Sequence, residues 1–336
     1  MLLTLSIIGG LILVIIVLIP VFLTVSKIYP YAYTNSRLRV MRADLIRSNE
    51  FENFVKRPYN DIIYQLEKKR FPSLIKYLSG DFSYGSVDSA LRTELINTLT
   101  KVKKISPEQS KKFVTIILSK YDIQLIEAIV RSLNTNINKK ADLIHATEVF
   151  SEEFLSKKDY DFDSLYNELK GTVYQPLLDK YSSQIKKGKY EEFEQQLDLL
   201  FFKRLLFTAQ SIEAKKYVKI LIDNHNIGLV FKGQKPIIPG GRIPINKLTN
   251  NLEEIKKIAS KKLIKSNAKT KEQFERDLQI YLKKTGEKLF SKNPLSEATI
   301  IGFIIIKTVN TRNLNTLLKL KHEKISEEKI KQVLAI

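Results

Sequence analysis

From Leu2 through Val25 the chain carries no charged side chain, and the first one met is Lys27. This run restricts the fold more than any other feature. An α-helix rises about 1.5 Å per residue, so about 20 apolar residues cross a hydrocarbon core of about 30 Å. A cleaved signal peptide would need cations ahead of the run, a shorter apolar stretch and a small-residue cleavage pattern. No Lys or Arg precedes this run, and Thr24 to Tyr29 offers no such pattern. The reading is a retained transmembrane helix over residues 1–28. Lys27, Arg37, Arg39, Arg42 and Arg47 follow, with Asp44 the one acid before Glu50. Cations beside a span stay on the cytoplasmic side. A single-pass protein of the cell membrane is expected, held there by residues 2–25, with its body in the cytoplasm. Pro20 predicts a kink near the inner end of the span, and Gly9 with Gly10 would let another surface approach closely.

The remaining chemistry argues against catalysis. Cysteine is absent from the 336 residues, which removes disulfides, thiol nucleophiles and thiolate metal sites. His145, His225 and His322 stand far apart with no partner at ligand spacing, so surface or loop roles are expected for them. Pro239, Gly240, Gly241 and Arg242 have no Lys-Ser or Lys-Thr behind them, so the glycine pair reads as a tight turn rather than a phosphate loop. No catalytic, cofactor or metal site is expected. The formal net charge of +20 admits an anionic partner. The lysines are nevertheless spread along the whole chain, with no dense basic block interleaved with aromatics, and no nucleic-acid partner is expected.

Beyond the run the pattern is helical throughout. Apolar residues recur at helical spacing in Leu91, Leu95, Ile96, Leu99 and Val102, and again from Phe193 to Leu206. Breaks fall at Arg57-Pro58, Ser79 to Asp81, Ser106-Pro107, Asn134 to Asn138, Lys187-Gly188, Pro236 to Pro244 and Asn293-Pro294. Two of them, Ser106-Pro107-Glu108 and Asn293 to Glu297, read as helix starts with a capping side chain, an early Pro and an acid in the first turn.

A repeat organises these helices. The segments beginning at Asp122, Asp223 and Asn310 each place an aliphatic residue at +4, apolar residues at +7 and +8, and Lys or Arg at +9. Those apolar positions share one helix face, so each copy describes a buried stripe opened by a short polar side chain. Position +3 is Leu125, Asn226 and Asn313, and each copy follows an apolar run. Two echoes accompany the repeat. Phe193 to Leu197 matches Phe274 to Leu278, and Phe54 to Tyr59 matches Leu169 to Tyr174. The copies start 101 (223 minus 122) and 87 (310 minus 223) residues apart, too far for two-helix solenoid units. The fold class expected is all-α: three similar helical domains at 29–150, 151–255 and 256–336, plus the N-terminal span.

The stretch from Tyr29 to Met41, YPYAYTNSRLRVM, resembles the YPYANARVRAM opening of the C subunit of archaeal-type rotary ATPases, the relative of the eukaryotic vacuolar d subunit. The resemblance continues through Asp223 to Ile227, the Pro239-Gly240-Gly241 turn, Asn293-Pro294, Ile301 to Lys307, Arg312 to Leu314 and Ile325 to Ile330. It implies a funnel-shaped protein of three similar domains about a pseudo-threefold axis. It also implies a non-catalytic coupling subunit between the central stalk and the membrane rotor ring, passing torque for proton or sodium transport. The structural or interface positions it singles out are Tyr31, Tyr33, Asn35, Arg37, Arg39, Asp122, Asp223, Asn226, Gly240, Gly241, Arg312 and Asn313. Thr308 and Asn310 stand where many family members carry acids, and the N-terminal span is an addition to the pattern. That helix would enter the lipid-filled centre of the ring and pin the body on its axis. The competing reading is a membrane-anchored basic helical scaffold for an acidic partner or nucleic acid.

Overall fold

The computed structural model describes residues 2–69, 83–133, 149–156 and 160–336. The breaks at Ser79 to Asp81 and Asn134 to Asn138, and His145, lie outside the described residues. Among those described, the ordered elements are helices, with no strand. The first, α1, runs without interruption from Leu2 to Ala43, through Pro20 and Pro30. The side chains of residues 2–17 are outside the described part. Among the described residues no helix is long and apolar enough to cross a membrane. The expected span lies on a continuous helix, but a membrane crossing is not found among the described residues and rests on the sequence.

Three helical hairpins form the body. The first pairs α4 (Tyr84–Ile105) with α5 (Glu108–Ser132), after the short helices α2 (Ser48–Val55) and α3 (Tyr59–Lys69). Short helices α6 (Glu152–Ser156), α7 (Phe162–Leu169) and α8 (Gln175–Lys186) lead to the second hairpin, α9 (Glu191–Thr208) and α10 (Ile212–Phe231). Helix α11 (Leu252–Lys262) precedes the third, α12 (Lys271–Lys292) and α13 (Glu297–His322), and α14 (Glu327–Val333) ends the chain. Each copy of the repeat lies on the second helix of a hairpin. Its +4 residues Ile126, Ile227 and Leu314 are fully buried. The echoes fall at equivalent places too: Phe193 and Phe274 near the starts of α9 and α12, and Phe54 and Leu169 in the last turns of α2 and α7, all buried.

The hairpins close on one another cyclically. Helix α5 packs on α9, α10 on α12, and α13 back on α4. Arg131 of α5 grips Glu194 of α9 through two bonds of 2.6 and 2.7 Å. On the returning contact, buried Lys307 of α13 lies 3.8 Å from Glu94 of α4. Burial lowers the Lys307 pKa, against the pull of Glu94 and Asp44. Residues 298–307 of α13 are all buried, as expected of a helix that is apolar all round. At the α12–α13 crossing two glycines let backbones touch: a Cβ on Gly302 would sit 2.5 Å from the Phe290 nitrogen and 2.6 Å from the Gly286 carbonyl oxygen.

The polar positions of the repeat clamp connecting segments onto these helices. The Asp223 carboxylate accepts the Arg242 and Ile243 amides, each at 3.0 Å. Asn226 pairs with both backbone groups of Ile238, Asn310 with those of Ile46, and Asn313 with those of Ala335. Each side-chain amide thereby satisfies a buried donor and a buried acceptor of irregular chain, which would otherwise go unpaired. Both expected helix starts shift. Ser106 turns back to donate to the Val102 carbonyl of α4, leaving Pro107 to cap α5 without a side-chain bond. Asn293 terminates α12, and Ser296 caps α13 by accepting the Ala298 amide.

Candidate functional site: the cavity among the repeat helices

The second helices of the three hairpins surround a cavity of about 480 Å³. Their inner faces follow from the repeat register. Two residues before and two after each repeat origin lie four apart, on one face of the helix. All six such residues line the cavity: Lys120 and Gln124 on α5, Leu221 and His225 on α10, Thr308 and Arg312 on α13. The stripe at +4, +7 and +8 does not line it; on α13 it packs on α2, α3 and α14, and on α10 Ile227 packs with Ile255 and Ala259 of α11 and with Phe274 and Leu278 of α12. Lining begins at Ile117, Tyr217 and Ile305, one turn or more inside each helix, and on α10 continues to Lys232 at its C-terminal end. The cavity thus spans the middle of α5 and α13 and extends along α10 to the end remote from the hairpin turns.

Its chemistry is an apolar wall with a cationic bias. Phe201, Phe202, Tyr217, Leu278 and Leu282 supply the wall, and Lys120, Lys232 and Arg312 the charge, with Glu275 as the lining acid. His225 packs against the Phe202 ring at 5.1 Å, with Nε2 3.4 Å from Asp198 Oδ2. Burial, with Lys120 and Lys232 adding, pushes the His225 pKa down to about 4, so the imidazole is neutral at pH 7. Burial raises Asp198 to about 6 despite Lys120. One turn beyond Gln124 on the same side of α5, Glu127 is pushed up to about 8 by burial and by Asp198 and Glu194. Among the described residues, both amide atoms of Asn224 are buried without a hydrogen-bond partner, and the Nε2 of His225 has no partner beyond its 3.4 Å approach to Asp198. Among the described residues no group of side chains could hold a metal ion.

The residues singled out from the sequence fall into three places. Arg312 faces the cavity. Asp223, Asn226, Gly240, Gly241 and Asn313 belong to the clamps. Gly240 adopts φ +96°, and a Cβ on Gly241 would run into the Asp223 carboxylate, so this turn requires both glycines. Asp122 is buried at the corresponding position of α5, close enough to Tyr174 to raise its pKa, after burial itself, to about 12. The remaining five are on α1. Tyr31 meets Ser110 at 3.3 Å, and Thr34 donates to the Ile105 carbonyl at 2.5 Å, which seats α1 on the α4–α5 turn. Asn35 accepts from Arg39, while Tyr33, Arg37 and Arg39 are exposed. His225, expected at the surface or in a loop, is instead part of the cavity wall. His322 packs against Tyr59 and Tyr84. The −2 and +2 positions escape a reading by residue type, because they vary in chemistry; their fixed offset from the repeat is the signal that marks them.

Comparison with known proteins gives a consistent result. A family model described as "ATP synthase (C/AC39) subunit" matches residues 34–333. The chain is similar to the A-type ATP synthase C subunit of Pyrococcus furiosus, 23% identical over 91% of this chain and 90% of the relative. The C subunit of the A-type ATP synthase of Methanococcoides burtonii is 24% identical over 91% of this chain and 94% of its own length. The family match begins after the apolar run, which lies ahead of it.

Proposed function

Because the chain belongs to the ATP synthase (C/AC39) subunit family, we propose that it is a non-catalytic coupling subunit of an A/V-type rotary ATPase. It links the central stalk to the membrane rotor ring and transmits torque for proton or sodium transport. The observation that carries this reading is the cavity itself. Three structurally equivalent helices present matched inner faces to one axial space, whose unpaired polar atoms and cations suit the end of a protein stalk. The pseudo-threefold, funnel-shaped arrangement of three domains is supported by the cyclic hairpin contacts.

Helix α1 supplies an orientation. It is seated on the α4–α5 turn by Tyr31 and Thr34, and the apolar run precedes that seat. The α9–α10 turn joins the start of α13 through Ser211 and Glu297 at 2.6 Å, and nearby Phe207, Ile212 and Leu295 are exposed. The hairpin-turn end therefore faces the membrane and the ring, and the opposite end, which the cavity reaches along α10, faces the stalk. From Leu18 to Val25 every described side chain is exposed, Phe22 by 72%. Apolar side chains left open in this way suit a single-pass span entering the lipid-filled centre of the ring.

Affinity purification of the tagged full-length chain from detergent-solubilised membranes tests the assignment. Ring and stalk proteins should co-purify, and recovery of the chain without either would overturn it. An intact complex with α1 outside the ring would remove the axial placement alone.

A further inference from the structure

A second cleft, of about 590 Å³, lies on the seam between α1 and the third hairpin, outside the central cavity. The end of α1 brings Arg39 and Arg42, the next connection brings Arg47 and Ser48, and α12 brings Lys283 and Glu287. Four cations thus converge from three segments, against one carboxylate. Among the described residues none of the four lies within ion-pair distance of an acid, and three of them touch neutral groups. Lys283 donates to Ser48 Oγ at 3.0 Å, Arg39 to Asn35, and the Arg42 guanidinium rests 4.6 Å from the Phe290 ring centre. Burial lowers the Lys283 pKa, with Glu287 opposing, so this ammonium has lost part of its hydration without gaining a salt bridge. Unpaired, partly desolvated cations in a concave site are poised for an anion.

The lining also restricts the kind of anion. Leu45, Ile46, Phe290 and Ile306 are buried, Ala43 presents only a methyl group, and Arg42 covers the Phe290 ring, so no free aromatic face remains for a base or sugar. The open polar surface is guanidinium, ammonium and hydroxyl, with the half-buried Glu287 as its carboxylate. We propose that this cleft binds a compact, multiply charged phosphate anion of the pyrophosphate or tripolyphosphate class, and thereby ties the end of α1 to α12.

A phospholipid headgroup offers the same chemistry, but position disfavours it. Fourteen residues of unbroken helix separate Val25 from Arg39, about 21 Å at 1.5 Å per residue. The headgroup layer is only about 5–7 Å deep on each side. The site requires no coupling role, so its failure would leave the family reading intact.

The full-length chain in neutral detergent is titrated calorimetrically with sodium tripolyphosphate at low ionic strength, and separately presented with phosphatidic-acid nanodiscs. Saturable one-to-one binding of tripolyphosphate is expected, weakened about tenfold or more by Lys283→Gln. The exposed pair Arg39→Gln with Arg47→Gln should weaken it similarly, and this pair leaves the Arg42–Phe290 packing intact. The control pair Lys216→Gln with Lys261→Gln, which removes the same charge elsewhere, should leave it unchanged. Absence of saturable binding, equal loss in the control pair, or dependence on these residues only for nanodisc binding would each overturn the proposal.

Discussion

At the scale of single residues, the side chains that decide this fold are small or polar ones inside an apolar core. Gly302 is the sharpest case, since the atoms a Cβ would meet are backbone atoms of α12 that cannot rotate away. Gly302→Ala should cost about 1–3 kcal/mol or more and lower the thermal midpoint followed by circular dichroism. Gly228→Ala, with nothing near its added methyl, should raise it slightly through helix propensity, by about 0.5–1 kcal/mol. The clamps are equally specific. Asn310 donates to the Ile46 carbonyl at 2.7 Å and accepts from the Ile46 amide at 3.4 Å. An Asn310→Asp change keeps the acceptor and sets a carboxylate against a carbonyl oxygen, so urea midpoints should fall at pH 7. They should recover as the pH approaches about 4, near the ordinary carboxyl value, where the introduced group can donate again. Glu127 imposes a pH dependence of its own. Its folded pKa, about 8, lies above the unfolded value, so the folded state binds the extra proton and stability declines as pH rises toward 8. His225, whose folded pKa is held near 4, acts in the opposite sense but only below its ordinary value near 6.5. Thermal midpoints between pH 6.5 and 8 should therefore fall in the parent chain and fall less in Glu127→Gln.

At the scale of elements, α1 combines two separable halves. Its second half is docked, through Tyr31, Thr34 and buried Leu38, and the described side chains of its first half, up to Val25, are exposed. Deletion of residues 2–25 should leave the helical content and thermal midpoint of the body essentially unchanged. In a host lacking the rest of the complex, it should move the chain from the carbonate-resistant membrane pellet to the supernatant; retention in the pellet would show that something other than α1 holds it. The hairpins are built by opposite logic. In the third hairpin the close crossing of α12 and α13 comes from Gly286 and Gly302, apposed in the turn-side halves of the two helices, where dispersion contacts between backbones replace side-chain interdigitation.

At the scale of the whole molecule, the cyclic contact of α13 with α4 joins the last hairpin to the first. Lys307 with Glu94 and Asn315 with Asp88 both serve that closure. A buried ion pair adds little net stability, but loss of one partner leaves an unpaired charge. A closed ring of hairpins resists twisting, which is the property the proposed torque-transmitting role needs. The cavity and the turn end then offer two faces, and a substitution confined to one of them separates their roles. Arg312→Glu places an acid among the cavity lining and leaves the turn end untouched. It should reduce co-purification of stalk proteins while ring proteins remain; the reverse pattern would invert the proposed orientation.

How much of this was legible in the sequence follows from what periodicity encodes. The 3.6-residue pattern tells which face of a helix is apolar, so the buried stripes of α5, α10 and α13 and their polar origins at Asp122, Asp223 and Asn310 could be read directly. An uncharged run long enough to span a bilayer is likewise a local property. Periodicity does not tell which element covers a face. The partners of Asn226, Asn310 and Asn313 are single backbone groups of irregular segments, up to 264 positions away in the case of Ile46, and nothing in their composition marks them. The cavity, the Gly286–Gly302 crossing, the Glu94–Lys307 pair and the four converging cations at the α1 seam all depend on the relative placement of segments remote in sequence. Local pattern thus determined the helices and their inward faces, and tertiary packing alone decided what those faces enclose, because enclosure is a property of several helices at once.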